Sequence, residues 1–412
     1  MAKTLYSGKI SCGRKEELMM ENFHGRNSTN VLRVTCAILF LTFSLAYLYC
    51  YQANELIFAQ HVLSGGRTCY NPIVGTVLIT FVLFLLHKVI AASIRIPRLL
   101  YAQTYFLPLL LLLILTDISP DLDRHSTFGI WLWLFPLLLI IHGGALWMIH
   151  RATTSQKNRP PIDFFSQAMW VNIIQLVIMF FLVGQVGSGN DTFHYRMAAE
   201  KALVKGDYTA ALRPGENALQ TDTNLTMIRI YALSRKKQLG ERLFEYPLVG
   251  GSSALLPNGN NVRLSIYPES KIYHYLGVRI KQTMTPLNYL QFLDRRHLAK
   301  RPAADYLLCG YLLDCNLDAF VRTLPHYYDI KGPLPKHYRE ALTLYTHLHS
   351  TPTIIYHDSV MDADFQDFQD MEHSERNKTI RQTKLRDTYG NTYWFYYQYG
   401  KIGKKIRTQW FF

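Results

Sequence analysis

The chain has 412 residues, 49% of them hydrophobic, and a net charge of +14. This length allows two or three domains. Nearly all long apolar runs lie before residue 187, whereas the remainder carries 30 of the 44 Lys and Arg residues and 22 of the 30 Asp and Glu residues. Positive charge flanking apolar runs is the topology signal of membrane proteins. The composition therefore favours a membrane protein and argues against a nucleic-acid partner.

The six cysteines are scattered, and no two of them form a C-x-x-C pair. This argues against a zinc ribbon or a thioredoxin-type site. Cys309 and Cys315 are close in sequence, but one shared helix would separate them by about 9 Å of rise, which is too far for a disulfide. We predict that Cys309 and Cys315 are small buried side chains, and we predict no metal site and no cofactor.

Five apolar runs follow a polar, mixed-charge tail at residues 1–33. Each run has about 18–20 residues, enough to cross ~30 Å of hydrocarbon as a helix. We predict a bundle over residues 34–186 with transmembrane helices at residues 34–51, 73–92, 99–116, 128–147 and 169–186.

The distribution of Lys and Arg predicts the orientation of these spans. The tail through Arg33 has six such residues, and the second and fourth links are richer in them than the first and third. The positive-inside rule places the tail and the even links in the cytoplasm. Five crossings then place residues 187–412 outside it, so we expect a multi-pass protein of the inner membrane with a periplasmic second half.

Five polar side chains share one depth near the cytoplasmic ends of the spans. Such a layer lines a cavity or a proton path in some membrane proteins. The plainer interpretation, which we favour, is hydrogen bonding between helices, with the lysine reaching the headgroups. The residues are Lys88, Gln103, His142, Asn172 and Gln175.

Residues 187–350 are predicted to form a water-soluble helical-repeat domain, which makes the whole chain all-α. Residues 195–219 have the apolar spacing of two amphipathic helices joined at Gly206, Asp207 and Tyr208. This pair resembles a tetratricopeptide repeat, and the 34 residues from Gly206 to Gly240 equal the period of that repeat. Two further helix pairs of the same kind are predicted before residue 350.

Residues 351–412 combine an acidic stretch with a closing aromatic segment. The acidic stretch does not fit a calcium loop, because Asp367 and His373 stand where that loop requires Gly and Glu. We predict a solvated helix face there. The segment TYWFYY, residues 392–397, caps the last repeat, rests on the membrane interface or docks a partner, and we favour capping.

Several of these stretches together resemble an uncharacterised family of integral membrane proteins from Bacteroidetes. They are the GDY turn, the run LLCGYLLDCNLDAFVRTLPHYY, the segment LPKHYREAL and the closing TYWFYY. The resemblance covers most of residues 170–400. It implies a membrane bundle followed by a tetratricopeptide-like half, in a bacterial envelope. It implies no functional residues, because that family has no established activity.

The best candidate for chemistry is the third link, DISPDLDRH. The spacing of Asp121 and Asp123 lets both carboxylates face one ion, or lets one act as a base, and His125 is close by. Membrane glycosyltransferases that use lipid-linked sugars place acidic residues in such loops. The plainer interpretation, which we favour, is a polar loop turned by Pro120. No nucleophile elbow, zinc-protease motif or phosphate-binding loop is present.

We therefore expect a non-enzymatic membrane protein that presents helical repeats to a protein or peptide partner in the envelope. The first helix of each pair lines the expected groove, and Tyr195, Ala199 and Tyr208 are the predicted partner-binding residues. The alternative is an envelope enzyme of lipid-linked glycosyl transfer that uses Asp121 and Asp123. A transporter, based on the intramembrane polar side chains, ranks third.

Overall fold

The described part of the chain folds into helices and irregular segments and contains no β-strand. The predicted all-α class is thereby confirmed. The chain divides into two compact units, Met1–Asn190 and Asp191–Phe412. Most of the predicted tail, residues 1–29, lies outside the description. In this computed structural model, the residues described are 30–94, 96–122, 129–153, 167–187, 190–258, 262–280 and 282–400.

The first unit contains five helices that are long and apolar enough to cross a membrane, as predicted. A sixth, shorter helix follows the first of them. The helices are α1 (Asn30–Tyr51), α2 (Ala53–Leu63), α3 (Pro72–Ser93), α4 (Arg98–Thr116, of which Arg98–Tyr105 is wound as a 3-10 helix), α5 (Trp131–Thr153) and α6 (Gln167–Val186).

Local sequence explains where α3 begins. The Asn71 side chain accepts hydrogen bonds from the backbone N–H groups of Ile73 and Val74. Pro72 occupies the first helical position, where a missing N–H has no cost. The helix that follows carries only apolar, small or hydroxyl residues until His87, so its outer surface suits hydrocarbon.

The second unit contains twelve shorter helices among its described residues. They surround one apolar core that extends from Ala199 to Tyr399. The helices are α7 (Asp191–Val204), α8 (Tyr208–Leu212), α9 (Thr223–Arg235), α10 (Leu239–Arg242), α11 (Glu269–Leu276), α12 (Pro286–Arg295), α13 (Pro302–Leu313), α14 (Leu317–Thr323), α15 (Lys336–Leu348), α16 (Ser359–Ser374), α17 (Lys378–Tyr389) and α18 (Tyr393–Phe395).

The predicted helix pair at residues 195–219 is only partly present. Its turn forms as expected: Gly206 has a φ of +76°, and the Asp207 carboxylate caps α8 by accepting from the Ala210 N–H. The second helix of the pair, however, ends at Leu212. Pro214 disfavours a helical conformation in the residue before it and lacks an N–H, so the chain leaves the helix there.

Buried charges tie loops to this core. The Arg229 guanidinium is fully buried on α9. It donates hydrogen bonds to the carbonyl oxygens of Gly215 (2.7 Å), Pro247 (3.0 Å) and Pro214 (3.3 Å), and to Thr221 Oγ1 (3.1 Å). The buried guanidinium thus supplies hydrogen-bond donors to carbonyl groups of two loops that face the core. Irregular backbone can be buried only when its polar groups are hydrogen-bonded in this way.

The closing aromatic segment packs against α15. Glu340 is buried, and its carboxylate accepts from the Tyr393 N–H at 2.7 Å and lies 2.8 Å from His337 Nδ1. The Glu340 carbonyl accepts from Trp394 Nε1 at 2.8 Å. The other ring nitrogen of His337 accepts from the Phe244 N–H at 3.2 Å. The aromatic rings are therefore core residues of the second unit.

Candidate functional site

Three of the five predicted intramembrane polar residues form hydrogen bonds between α4 and α6. The Asn172 side chain accepts from the Ala102 N–H at 2.6 Å and donates to the Arg98 carbonyl at 2.9 Å. Gln103 Nε2 donates to Gln175 Oε1 at 3.1 Å. These contacts satisfy polar groups within the bundle, as interhelical hydrogen bonds do in other membrane proteins.

Lys88 does not join this hydrogen-bonded group, whereas His142 meets it through a hydrogen bond to the backbone of Gln103. Lys88 is exposed, with its ammonium 5.0 Å from the centre of the Phe84 ring, and the His142 ring stacks on Phe106 at 3.8 Å. The neighbour of Lys88, His87, is buried and packs 3.7 Å from the Tyr105 ring, and Thr76 and Thr80 of the same helix are buried too. Adjacent helical residues point about 100° apart, so the apolar sequence alone did not reveal which of His87 and Lys88 faces inward.

The third link is described only in part. Asp121 is exposed in a turn, and its N–H donates to Ser119 Oγ at 3.3 Å. The other two candidates for catalysis, Asp123 and His125, lie outside the described residues. Asp117, at the start of the link, accepts from Trp131 Nε1 at 2.5 Å, which fixes the end of α4 against the start of α5.

The carboxylate that the structure brings close to Asp117 is Glu55 on α2. Glu55 is 3% exposed, and burial together with the negative charge of Asp117 raises its pKa to about 8. A carboxyl group of this kind holds a proton at neutral pH and is a candidate general acid. The sequence analysis missed it, although a single acid among the apolar residues of α2 was the available signal.

A second candidate site is an open groove in the second unit, with a volume of about 640 Å³. Residues 330–334 form one side and residues 355–358 the other, and Arg339 of α15 contributes between them. Both sides are irregular chain segments, and Ile355, on the second side, is 65% exposed.

The chain leading to this groove alternates in burial. From residue 351 to residue 358, exposed side chains alternate strictly with partly buried ones. Ile354 and Tyr356 pack against the core, whereas Ile355 and His357 face outward. A period of two is that of an extended strand with one covered face. The chain bends at residues 353 and 354, so the extended part is short, and we call residues 355–358 the edge segment.

The edge segment has no partner strand. Within the described chain, residues 351–357 make no backbone–backbone hydrogen bond. The Tyr356 N–H donates to Thr346 Oγ1 of α15 at 3.2 Å. Backbone groups of successive residues in an extended segment point in opposite directions, so those of Ile355 and His357 point away from Thr346. They resemble the free edge of a β-sheet.

The groove carries more positive than negative charge. Lys331, Arg339 and His357 line it together with one carboxylate, Asp358. Arg339 Nη1 lies 3.5 Å from Asp358 Oδ2, which partly neutralises both groups. Among the described residues Lys331 has no ion pair, so the groove favours an anionic ligand group over a cationic one.

The predicted partner-binding residues lie elsewhere. Ala199 is fully buried in α7 and is therefore not available to a partner, which corrects that prediction. Tyr195 is partly buried against Gly215, where an added Cβ would lie 2.7 Å from its ring. Tyr208 is partly buried, and the guanidinium of Arg235 lies 4.8 Å from its ring centre. The groove was missed because the short run of β-branched residues before α16 was not considered as an extended segment.

Comparison with known proteins finds one similarity, in the C-terminal part of the chain. Residues 279–400 match the family of unknown function DUF6057. This segment includes α12 to α18 and the whole groove. No curated protein and no solved structure matches the chain. The C-terminal part of the chain is thus similar to a family whose function is unknown.

Proposed function

We propose that this is a multi-pass membrane protein whose second unit binds an extended peptide in the groove beside the edge segment. The observation that carries the proposal is the edge segment itself, whose outward backbone groups have no backbone partner next to a groove of about 640 Å³. A peptide that adds a strand to such an edge gains main-chain hydrogen bonds, and pockets for alternate side chains supply specificity.

The lining predicts the preferred peptide. Ile355 offers an apolar contact to the added strand, while Lys331 and Arg339 offer cations. Because side chains alternate along a strand, the preferred ligand carries acidic residues on one face and apolar residues on the other. Arg339 can bind a ligand carboxylate through two N–H groups once its ion pair with Asp358 is broken.

The repeat character and the orientation are further parts of the proposal. A residue with positive φ followed by a helix-capping side chain occurs at Gly206 and Asp207, and again at Cys315 and Asn316. This recurrence supports two related helix turns, as in a tetratricopeptide-like array. The charge pattern of the links supports an extracytoplasmic location for the second unit, where the partner is a segment of an envelope protein.

The test measures peptide binding by the full chain in lipid nanodiscs. The probes are fluorescent octapeptides with acidic residues at alternate positions, and a set with lysine at the same positions serves as the ligand control. Fluorescence anisotropy should show binding of the acidic set. Ile355→Pro, which removes one outward N–H, should weaken it by about tenfold or more, whereas Ile355→Ala retains that N–H and should weaken it less. Equal binding by both variants, or no binding of any set, overturns the proposal.

A second function is supported by the pairing of Glu55 with Asp117. A carboxyl whose pKa is raised by burial and by a neighbouring acid is an arrangement used for acid–base catalysis, which supports the envelope-enzyme alternative. In membranes given a polyprenyl-phosphate-linked sugar, Glu55→Gln should abolish transfer, whereas Glu216→Gln, at a surface carboxylate of the second unit, should leave it unchanged. Transfer that survives Glu55→Gln contradicts this second function.

A further inference from the structure

A basic patch surrounds two exposed apolar side chains on the second unit. The apolar residues are Val278, 51% exposed, and Leu298, 43% exposed. They lie on neighbouring segments, because the Lys300 N–H donates to the Leu276 carbonyl at 2.8 Å and Lys300 Nζ donates to the His274 carbonyl at 2.5 Å. The basic residues on the same two segments are Arg279, Arg295, Arg296, Lys300 and Arg301.

A groove of about 430 Å³ adjoins this patch along α12. Met284 and Phe292 give it an apolar lining, and Arg295 and Arg296 stand beside them. The Arg296 guanidinium lies 5.8 Å from the centre of the Phe292 ring. Asn288 and Gln291 complete the lining, so the groove combines two apolar side chains with polar and cationic groups. Such a lining matches a ligand that has both a hydrocarbon part and an anionic group.

The positive charge of Arg279 is partly offset by Glu269, but that of two other arginines of the patch is not. Arg295 and Arg296 form no ion pair with any described carboxylate. The nearest acid in sequence, Asp294, is instead the acceptor for the Tyr327 hydroxyl. The two arginines are therefore available to an external anion.

We propose that this patch binds the phosphate headgroups of anionic lipids, with Val278 and Leu298 inserted among them. Basic residues are attracted to an anionic lipid surface, and apolar side chains between them add hydrophobic attraction. The five apolar helices of the same chain favour this partner over nucleic acid, because they keep the protein at a lipid surface. The charged backbone of a nucleic acid also offers no favourable contact to exposed aliphatic side chains.

The experiment follows hydrogen exchange at residues 276–280 and 292–301 of the full chain in two kinds of nanodisc. One contains phosphatidylcholine alone, and the other also contains phosphatidylglycerol in both leaflets. We expect slower exchange in these segments with the anionic lipid, and loss of that protection at high salt. Arg295→Glu combined with Arg296→Glu should remove the protection. Arg376→Glu combined with Lys378→Glu, the same charge change at exposed residues elsewhere, should retain it.

Two further arms separate the lipid from other anions. Leu298→Gln keeps every charge, and it should lower the protection only if the side chain enters the lipid surface. Inorganic phosphate or a single-stranded oligonucleotide is added to discs of phosphatidylcholine alone. Protection by either of these, together with none from phosphatidylglycerol, overturns the proposal, as does equal exchange in the two lipids.

Discussion

Helices α5 and α13 have similar apolar sequences but opposite surroundings. In α5, no residue from Leu132 to Ile149 is buried, and Ile140 is 72% exposed. In α13, nine of the 12 residues are buried, among them Leu308 and Leu312. In α5 the exposed side chains meet hydrocarbon in a membrane, whereas those of α13 are covered by other helices. Apolar residue types indicate that a helix is shielded from water. The length of the apolar run indicates whether hydrocarbon or other helices shield it.

The two units also bury polar groups differently. In the first unit, the neutral amide of Asn172 joins the backbone of α4 to α6. In the second unit, charged groups such as Arg229 and Glu340 are buried within hydrogen-bonded clusters. An ion is expensive to place in hydrocarbon, while a soluble core tolerates one that is fully hydrogen-bonded. The following predictions test this difference, from the largest effect to the smallest.

Replacing Glu340 with alanine should have the largest effect. It leaves the His337 Nδ1 and the Tyr393 N–H buried without their acceptor, and each buried donor left without a partner costs about 1–3 kcal/mol. We expect a lower unfolding temperature of the second unit and faster hydrogen exchange at residues 393–399. Glu216→Ala, which removes a surface carboxylate 3.8 Å from Arg242, is the matched control and should cost less than about 1 kcal/mol. Equal effects of the two changes would falsify the proposed role of Glu340.

The stability of the first unit should depend on the protonation of Glu55. Its pKa in the folded protein is about 8, above the ordinary value of 4.5. The folded state therefore binds the proton more tightly, so its stability is fully present below about pH 4.5 and is lost as the pH rises to about 8. The expected loss is at most about 1.4 kcal/mol per pH unit in this window.

Thermal unfolding in detergent at several pH values checks this dependence. Glu55→Gln, which stays neutral, should flatten the decline and raise the unfolding temperature above that of the natural protein near pH 9. Asp121→Asn, in the exposed turn, should leave the decline unchanged. If the unfolding temperature of the Glu55→Gln protein falls with pH at the same slope, another titrating group causes the decline.

Replacing Asn172 with leucine should weaken the first unit by about 1–2 kcal/mol. Leucine still fills the space of the asparagine side chain, but it removes the acceptor of the Ala102 N–H and the donor to the Arg98 carbonyl. Gln175→Leu removes only the half-buried bond to Gln103, and it should cost about 0.6 kcal/mol. Thermal unfolding in one detergent compares the two, and a larger loss for Gln175→Leu contradicts the assignment.

Lys88→Met should have the smallest effect, less than about 0.5 kcal/mol, because the side chain is exposed and contacts only the Phe84 ring. Its neighbour provides the comparison. His87→Leu places an aliphatic group against Tyr101 and Tyr105 and should perturb the bundle more. A greater loss from Lys88→Met indicates a buried role for that lysine.

The sequence predicted the helical class and the five apolar helices because both depend on local patterns. Twenty apolar residues in succession exceed what a soluble helix needs, and Gly206 with Asp207 specifies a turn whatever surrounds it. The second helix of the predicted pair over residues 195–219 instead ends at Leu212, before Pro214. Asn172 was correctly placed among groups that bond between helices.

Only the tertiary structure decided which polar groups meet. Glu55 and Asp117 are 62 positions apart, and no local pattern predicts that one raises the pKa of the other. The edge segment is an open edge only because no other part of the described chain pairs with its backbone. The sequence by itself indicated the five helices that can cross a membrane, since transfer of apolar side chains from water depends on composition and run length. Contacts between distant residues depend on packing, and packing determined both candidate sites.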